Sequence, residues 1–293
     1  MSKFEGPFQV VWDASSLEAY MTCPRKYKWS VVDGYRVIAG EAVPSRAWGH
    51  IYHSASEKRH YSLFYNNNPE LALELAIKEA ASQSKSLENS TDTKLTFQTL
   101  LRALVWYADQ WKDDPLKTAV LPDGTPALEV RFEVPIFGQK RFSGRIDRIA
   151  YLENPDVLYL VDTKTTKEDL SSRYFGGFRY NNQIMAYLYV TRMILGMPVA
   201  GFIIDACQTL VGSTAFRRAT FDVANDHLEE WFEAARWIIN QADQMATEYG
   251  DEDWLPNYQG CKQFGRCQFL EISSTQPSQR ELLLREKFER SNR

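Results

Sequence analysis

A mixed-sheet domain of the α/β or α+β class is what this 293-residue chain predicts, and three observations predict it. Three stretches between Leu128 and Lys164 and two more between Val199 and Asp222 read as strands, those on either side of Asn154-Pro155-Asp156 alternating apolar and polar residues, and helical periodicity fills the intervals around them. Hydrophobic residues make up 44% of the chain and aromatic residues 13%, which is ample for a packed core in one large domain or two.

The elements follow in order. Asp13-Ala14-Ser15-Ser16-Leu17-Glu18 predicts a helix start, with Ser15 and Glu18 at capping-box spacing, and Cys23-Pro24 ends that helix. A basic, aromatic segment follows, Arg25-Lys26-Tyr27-Lys28-Trp29. Between Trp48 and Trp111 the spacing of Leu71, Leu75, Lys78 and Glu79, and of Leu100, Leu104 and Tyr107, predicts amphipathic helices. Asn66-Asn67-Asn68-Pro69 and the polar stretch from Ser82 to Thr93 separate them. Strands are predicted over 128–137, 141–152 and 157–164, and a helix over 180–195 closed by Gly196-Met197-Pro198. Further strands at 199–206 and 215–222 precede a long helix with Leu228, Trp231, Phe232, Ala235, Ile238, Ile239, Ala242 and Met245 on one stripe. The tail beyond Ser273 is polar, then helical and highly charged. These elements divide the chain into an N-terminal helical segment (1–47), a helical insertion or subdomain (48–127), a core (128–250) and a C-terminal segment (251–293).

A net charge of −4 excludes a generally basic nucleic-acid coat, so any DNA contact must use a local positive patch. Met1-Ser2-Lys3-Phe4-Glu5-Gly6-Pro7 has neither the basic nor the apolar region of a secretory signal, and no apolar run reaches the length of a membrane span. The expectation is a cytoplasmic protein with no membrane partner. In that compartment Cys23, Cys207, Cys261 and Cys267 are thiols or metal ligands rather than disulfides.

Chemistry concentrates in one hairpin. Gly144-Arg145-Ile146-Asp147 and Leu160-Val161-Asp162-Thr163-Lys164 flank the turn residues Asn154-Pro155-Asp156. A symmetric hairpin sets Asp147 opposite Asp162, roughly 5 Å apart, and such a pair needs a cation or a proton between the two acids. The two-residue period of a strand puts Lys164 on the face of Asp162. The same symmetry sets Arg145 against Lys164, so the ladder is expected to deviate near the site; the competing reading is a surface hairpin of alternating charges. Outside the hairpin, His53 and Glu57 lie one helical turn apart, as do Gln183 and Tyr187, and Glu129 lies on the preceding strand.

Taken in order, Ser15-Ser16-Leu17-Glu18-Ala19-Tyr20-Met21-Thr22-Cys23-Pro24, Gly49-x-x-x-His53, Gly144-x-x-Asp147, Asp162-x-Lys164 and Gln183-x-x-x-Tyr187 form a pattern. That pattern resembles the RecB-like branch of the PD-(D/E)XK nuclease superfamily, over Ser15 to about Cys267. The resemblance implies a restriction-endonuclease-like α/β core, a mixed central sheet flanked by helices, with a helical insertion. It also implies that His53, Asp147, Asp162 and the backbone carbonyl of Thr163 hold one or two Mg²⁺ or Mn²⁺ ions. Lys164 would orient or help deprotonate the attacking water, and Gln183 and Tyr187 would line the cleft and place the phosphate backbone. Hard oxygen ligands suit such ions independently of the family.

Arg145, Lys167, Arg173, Arg179, Arg217 and Arg218 are candidates for phosphate contacts. The aromatic residues of Arg173-Tyr174-Phe175-Gly176-Gly177-Phe178-Arg179-Tyr180 would either stack bases or pack as a glycine-hinged loop. Several RecB-like nucleases, the helicase-nuclease subunit AddB and the CRISPR adaptation exonucleases among them, have one early and three late cysteines holding an iron-sulfur cluster. Cys23, Cys261 and Cys267 fit three of those positions, and the fourth reads Ser273, so a 4Fe-4S cluster stands in doubt here. The expected activity is metal-dependent hydrolysis of DNA, as an exonuclease on ends or single strands in recombination, repair or phage and mobile-element DNA processing. A recombinase, an annealing protein or a helicase would be the partner. The alternatives are a structure-specific endonuclease and a non-catalytic DNA-binding subunit of a helicase-nuclease or CRISPR adaptation complex.

Overall fold

The computed structural model describes residues 3–38, 44–88, 90–261 and 267–291. The chain forms two compact units: Met1–Gly40 with Phe132–Gly144 and Asp226–Arg293, and Glu41–Arg131 with Arg145–Asn225. The first unit is thus assembled from three stretches remote in sequence.

The first unit opens with β1 (Phe4–Glu5) paired antiparallel to β2 (Phe8–Gln9), then β3 (Val11–Trp12) and α1 (Ala14–Thr22). The capping box of α1 forms between Asp13 and Ser16, not Ser15 and Glu18 as the spacing suggested. Asp13 is the last extended residue, so its carboxylate accepts the Ser16 N–H at 2.8 Å while Ser16 Oγ accepts the Asp13 N–H at 3.0 Å. Pro24, which has no N–H to leave unpaired, opens α2 (Pro24–Tyr27). A π turn over Lys28–Val32 and β4 (Tyr35–Val37) complete this stretch.

The second unit begins with α3 (Pro44–Asn66), α4 (Pro69–Gln83) and α5 (Phe97–Gln110), the last two capped by the side chains of Asn68 and Thr96. The buried face of α4 consists of Ala72, Ala76 and Ala80, at helical spacing and small enough for close helix contact. Trp48, Ile51, Tyr52, Leu100 and Leu104 build the core there, together with Cys207 and Phe216 of the sheet. The chain continues through β5 (Lys117–Thr118), β6 (Leu128–Phe137), β7 (Lys140–Tyr151) and β8 (Leu158–Thr166). Next come α6 (Ser172–Gly176), α7 (Asn182–Tyr189) with a π turn over Val190–Ile194, β9 (Val199–Thr209) and β10 (Thr214–Asp222). Strands β6 and β7 contribute to both units.

The sheet is mixed: β7 runs antiparallel to β8, β8 parallel to β9, and β9 antiparallel to β10, with β5 and β6 also on β7. The parallel β8–β9 pair needs a crossover, which α6 and α7 supply. Its inner strand β9 is buried on both faces, which is why Phe202-Ile203-Ile204 reads as a continuous apolar run.

In the first unit β3 pairs parallel with the start of β7, Trp12 beside Phe142, and α8 (Asn225–Tyr249) sets Trp231 edge-on to the Phe142 ring. Then α9 (Leu270–Ser274), α10 (Pro277–Lys287) and β11 (Phe288–Arg290) surround a core of Trp29, Phe269, Ile272, Leu284 and Phe288, with β11 paired to β4. Among the described residues no helix is long and apolar enough to cross a membrane.

Candidate active site

The hairpin ladder between β7 and β8 pairs Ala150 with Tyr159, Ile149 with Leu160 and Arg148 with Val161. One step further the same register faces Asp147 with Asp162. There the Asp147 side chain intervenes, its Oδ2 accepting the backbone N–H of Thr163 at 3.0 Å. Strand β8 keeps the pairing with β9 that runs from Leu158 to Thr166, with Asp162 beside Ile204, Thr163 beside Asp205 and Lys164 beside Ala206. The parity of the strand holds: Lys164 Nζ lies 2.7 Å from Asp162 Oδ2 on one face, while Thr163 turns to the other.

Helix α3 delivers the imidazole. Gly49, one turn before His53, lets the helix approach β8, since a Cβ there would stand 3.0 Å from Thr165 Oγ1. His53 Nδ1 then lies 3.5 Å from Asp147 Oδ2. On α7 the Tyr187 hydroxyl accepts the backbone N–H of Arg145 at 3.4 Å and bonds to Gln183, tying this helix to β7 two residues before Asp147. A recess of about 10 Å³, lined by Ile146, Asp147, Asp162, Ile184, Tyr187 and Phe202 among others, has room for a single water.

Glu129 joins the group on the β6 side. Its φ is +50°, a left-handed conformation uncommon for a residue with a Cβ. Its carboxylate stands 2.7 Å from the exposed Arg145 guanidinium, at an angle that leaves the buried Oε2 without a hydrogen bond. Burial, with the like charge of Asp147 adding to it, pushes the Glu129 carboxyl up to about 7 against the pull of Arg145.

Electrostatics separates the roles. Burial raises Asp162, and Asp147 adds to the rise while Lys164 opposes it. For Lys164, burial works against the charge, but the carboxylate of Asp162 outweighs it and the net direction is up. Lys164 is therefore held as a cation. Burial also raises the Tyr187 hydroxyl.

The residues fit a hard divalent cation. The described residues contain no converged group of three His, Cys, Asp or Glu, and Asp162 and Asp147 are engaged with Lys164 and the Thr163 N–H. Asp162 Oδ2 is nevertheless a buried anionic oxygen without a well-aligned hydrogen bond, next to a second carboxylate, an imidazole nitrogen and the Thr163 backbone. Such an unsatisfied oxygen-rich donor set suits Mg²⁺ or Mn²⁺.

The sequence-derived basic residues divide. Arg145, Lys167, Arg173, Arg179 and Arg217 are exposed. Lys167 pairs with Asp92 at 2.9 Å, Arg179 lies over the Phe221 ring, and Arg217 donates to the Leu170 carbonyl over Phe175. Arg218, grouped with them on sequence, is instead a structural cation. Its guanidinium binds both oxygens of Asp114 and one of Asp205, donates to the Tyr107 hydroxyl and stacks 3.8 Å from the Trp111 ring centroid. Sequence reasoning missed this buried network, although an acid inside the apolar run Phe202-Ile203-Ile204-Asp205-Ala206 signals a need for an internal cation. Cys207 is buried beside Tyr52 in the same unit.

Comparison with known proteins names the class to which this arrangement belongs. The sequence profile of the PD-(D/E)XK nuclease superfamily matches residues 12–272, and the chain belongs to that superfamily. It is thus a nuclease, of a kind usually dependent on Mg²⁺ or Mn²⁺, with DNA as substrate. Sequence comparison with curated proteins gives no match. The solved structure described as "Crystal structure of SSO0001" is 12% identical, with a TM-score of 0.27, and the alignment covers 77% of this chain and 83% of that one.

Proposed function

We propose that this chain is a metal-dependent deoxyribonuclease of the RecB-like branch, hydrolysing phosphodiester bonds as an exonuclease on DNA ends or single strands. One observation carries the reading: the hairpin ladder gives way at Asp147 and Asp162, with Lys164 2.7 Å from one acid and His53 3.5 Å from the other. His53, Asp147, Asp162 and the Thr163 carbonyl would hold Mg²⁺ or Mn²⁺. Such a cation would supply Lewis-acid charge at the scissile phosphate and its attacking water.

The side chains do the rest. Lys164, kept protonated by Asp162, orients the water and offsets the charge that develops on the phosphate. That favours orientation over proton abstraction. Tyr187 and Gln183 hold the β7 backbone at Arg145, whose guanidinium is exposed for a phosphate oxygen while Glu129 restrains it. Single strands and frayed ends are favoured by the segment joining Lys164 to Gln183, where Tyr180 is 76% exposed between Arg179 and the start of α7. Aromatic faces beside arginines accept unstacked bases, which a closed duplex does not offer.

End-labelled linear single strands, linear duplex and a covalently closed circle, each incubated with Mg²⁺ or Mn²⁺, test the proposal. The expected result is stepwise shortening of the linear substrates and an intact circle. Cutting of the circle would make the enzyme an endonuclease, and binding without turnover under either ion would leave it a DNA-binding subunit.

A further inference from the structure

The family resemblance implies a cluster held by thiolates, and the positions that would hold it are Cys23, Cys261, Cys267 and Ser273. All four residues lie in the first unit. The groups present do not fit a four-iron cluster. Cys261 stands close enough to Cys23 and Cys267 to feel both, but these three thiols are one short of the four a four-iron cluster takes, and the remaining cysteine, Cys207, is buried beside Tyr52 in the second unit. Cys23 Sγ accepts the backbone N–H of Asn257 at 3.3 Å, and Cys261 Sγ is directed at the Asn257 carbonyl at 3.8 Å. The fourth position offers a hydroxyl already engaged: Ser273 Oγ accepts from Arg25 Nη1 at 3.1 Å.

We infer that Arg25 replaces the cluster, its guanidinium fastening the N-terminal helices to the C-terminal segment without iron. Arg25 is only 8% exposed and connects three points of that segment. Its backbone N–H donates to the Leu255 carbonyl at 3.2 Å, Nε to the Trp254 carbonyl at 2.9 Å and Nη1 to Ser273. The guanidinium also sits 5.7 Å from the centroid of the Trp29 ring.

Neighbouring contacts complete the fastening. Arg280 donates to the Ser273 carbonyl at 3.2 Å and to Asp253 at 2.9 Å, and the second Asp253 oxygen accepts the Trp29 indole N–H at 3.0 Å. Asn257 Nδ2 donates to the Thr22 carbonyl at 2.9 Å. Gly260 packs so close to that carbonyl that an added Cβ would stand 2.2 Å from its oxygen. Guanidinium-to-oxygen bonds in a buried setting are strong, and losing this one leaves the Trp254 carbonyl without its Arg25 donor. The inference predicts a fold independent of iron and of its thiols.

The test is iron and acid-labile sulfide analysis of the full chain, purified anaerobically and again after reconstitution with ferrous iron and sulfide. Thermal melts of two variants accompany it, Arg25→Met and the triple Cys23→Ala, Cys261→Ala, Cys267→Ala. Colourless parent protein is expected, with substoichiometric iron. The triple variant should melt within about 5 °C of the parent, and Arg25→Met should melt lower than the triple variant. Brown protein holding about three to four irons per chain would overturn the inference. So would a triple variant that melts as low as Arg25→Met or fails to fold. The iron analysis decides even where a variant cannot be purified.

Discussion

Asp147 Oδ2 accepts the backbone N–H of Thr163, so a side chain of β7 binds the β8 backbone just past the last paired rung of their ladder. The contact fixes the carboxylate against the strand that carries Asp162 and Lys164. It also shows how two acids come to lie side by side: the β7–β8 ladder ends one rung before they would face each other.

Replacing Asp162 or Lys164 by alanine should lower Mg²⁺-dependent cleavage on the order of 10³-fold, because in the proposed mechanism Asp162 would hold the cation and Lys164 would offset the charge developing on the phosphate. Far-UV circular dichroism should remain that of the parent. Parent-like cleavage by either variant would remove the pair from the mechanism.

Glu129 gives a pH-dependent stability. Its folded value of about 7 lies above the ordinary 4.5, so the folded state favours the neutral acid. Stability from this group is present below pH 4.5 and is lost as the pH rises through 7. Glu129→Gln, melted in chelator, should therefore match the parent at pH 4 and exceed it above pH 7. About 1 kcal/mol is expected at pH 8, since solvent screens a carboxyl that is only partly enclosed. A variant destabilised at pH 8 would contradict the burial argument.

Arg218 and Arg179 should separate cleanly. Removing Arg218 strands Asp205 and Asp114 in the interior and should cost about 3–5 kcal/mol of stability in urea unfolding. Arg179→Ala should leave unfolding unchanged and flatten the salt dependence of DNA binding by about one unit of log–log slope, one phosphate contact fewer.

Tyr180→Ala should weaken binding of single-stranded DNA by about 1–3 kcal/mol, the worth of one stacked base, and leave blunt duplex binding unchanged. Competition titrations with the two substrates would show it. Equal losses on both would make Tyr180 a generic surface contact.

Tyr187→Phe removes the acceptor of the Arg145 N–H. A fall in kcat with little change in KM is expected, since the hydroxyl places β7 rather than the substrate.

The fold was largely legible because strand period and turn residues are local signals. Predicted strands at 128–137, 141–152 and 157–164 correspond to Leu128–Phe137, Lys140–Tyr151 and Leu158–Thr166. The Asp147–Asp162 register followed from symmetry about Asn154-Pro155. Less legible was whatever depended on a remote partner. The cap at Asp13 rather than Ser15 turned on one extended φ. Arg218 looked like its neighbour Arg217 until Asp114 and Asp205 were set beside it, and the left-handed backbone of Glu129 leaves no trace in composition. The three-stretch first unit cannot be expressed as boundaries along the chain.

A residue with a Cβ at φ +50° costs about 1–2 kcal/mol relative to glycine, which takes that conformation freely. Position 129 can therefore report on selection. Chains chosen from a random library only for thermal stability should drift to glycine there, relieving backbone strain and removing a buried acid at once. Chains chosen for DNA cleavage should keep the carboxylate if it serves the site. The enrichment ratio at this codon would measure how far fold and function pull against each other in this nuclease.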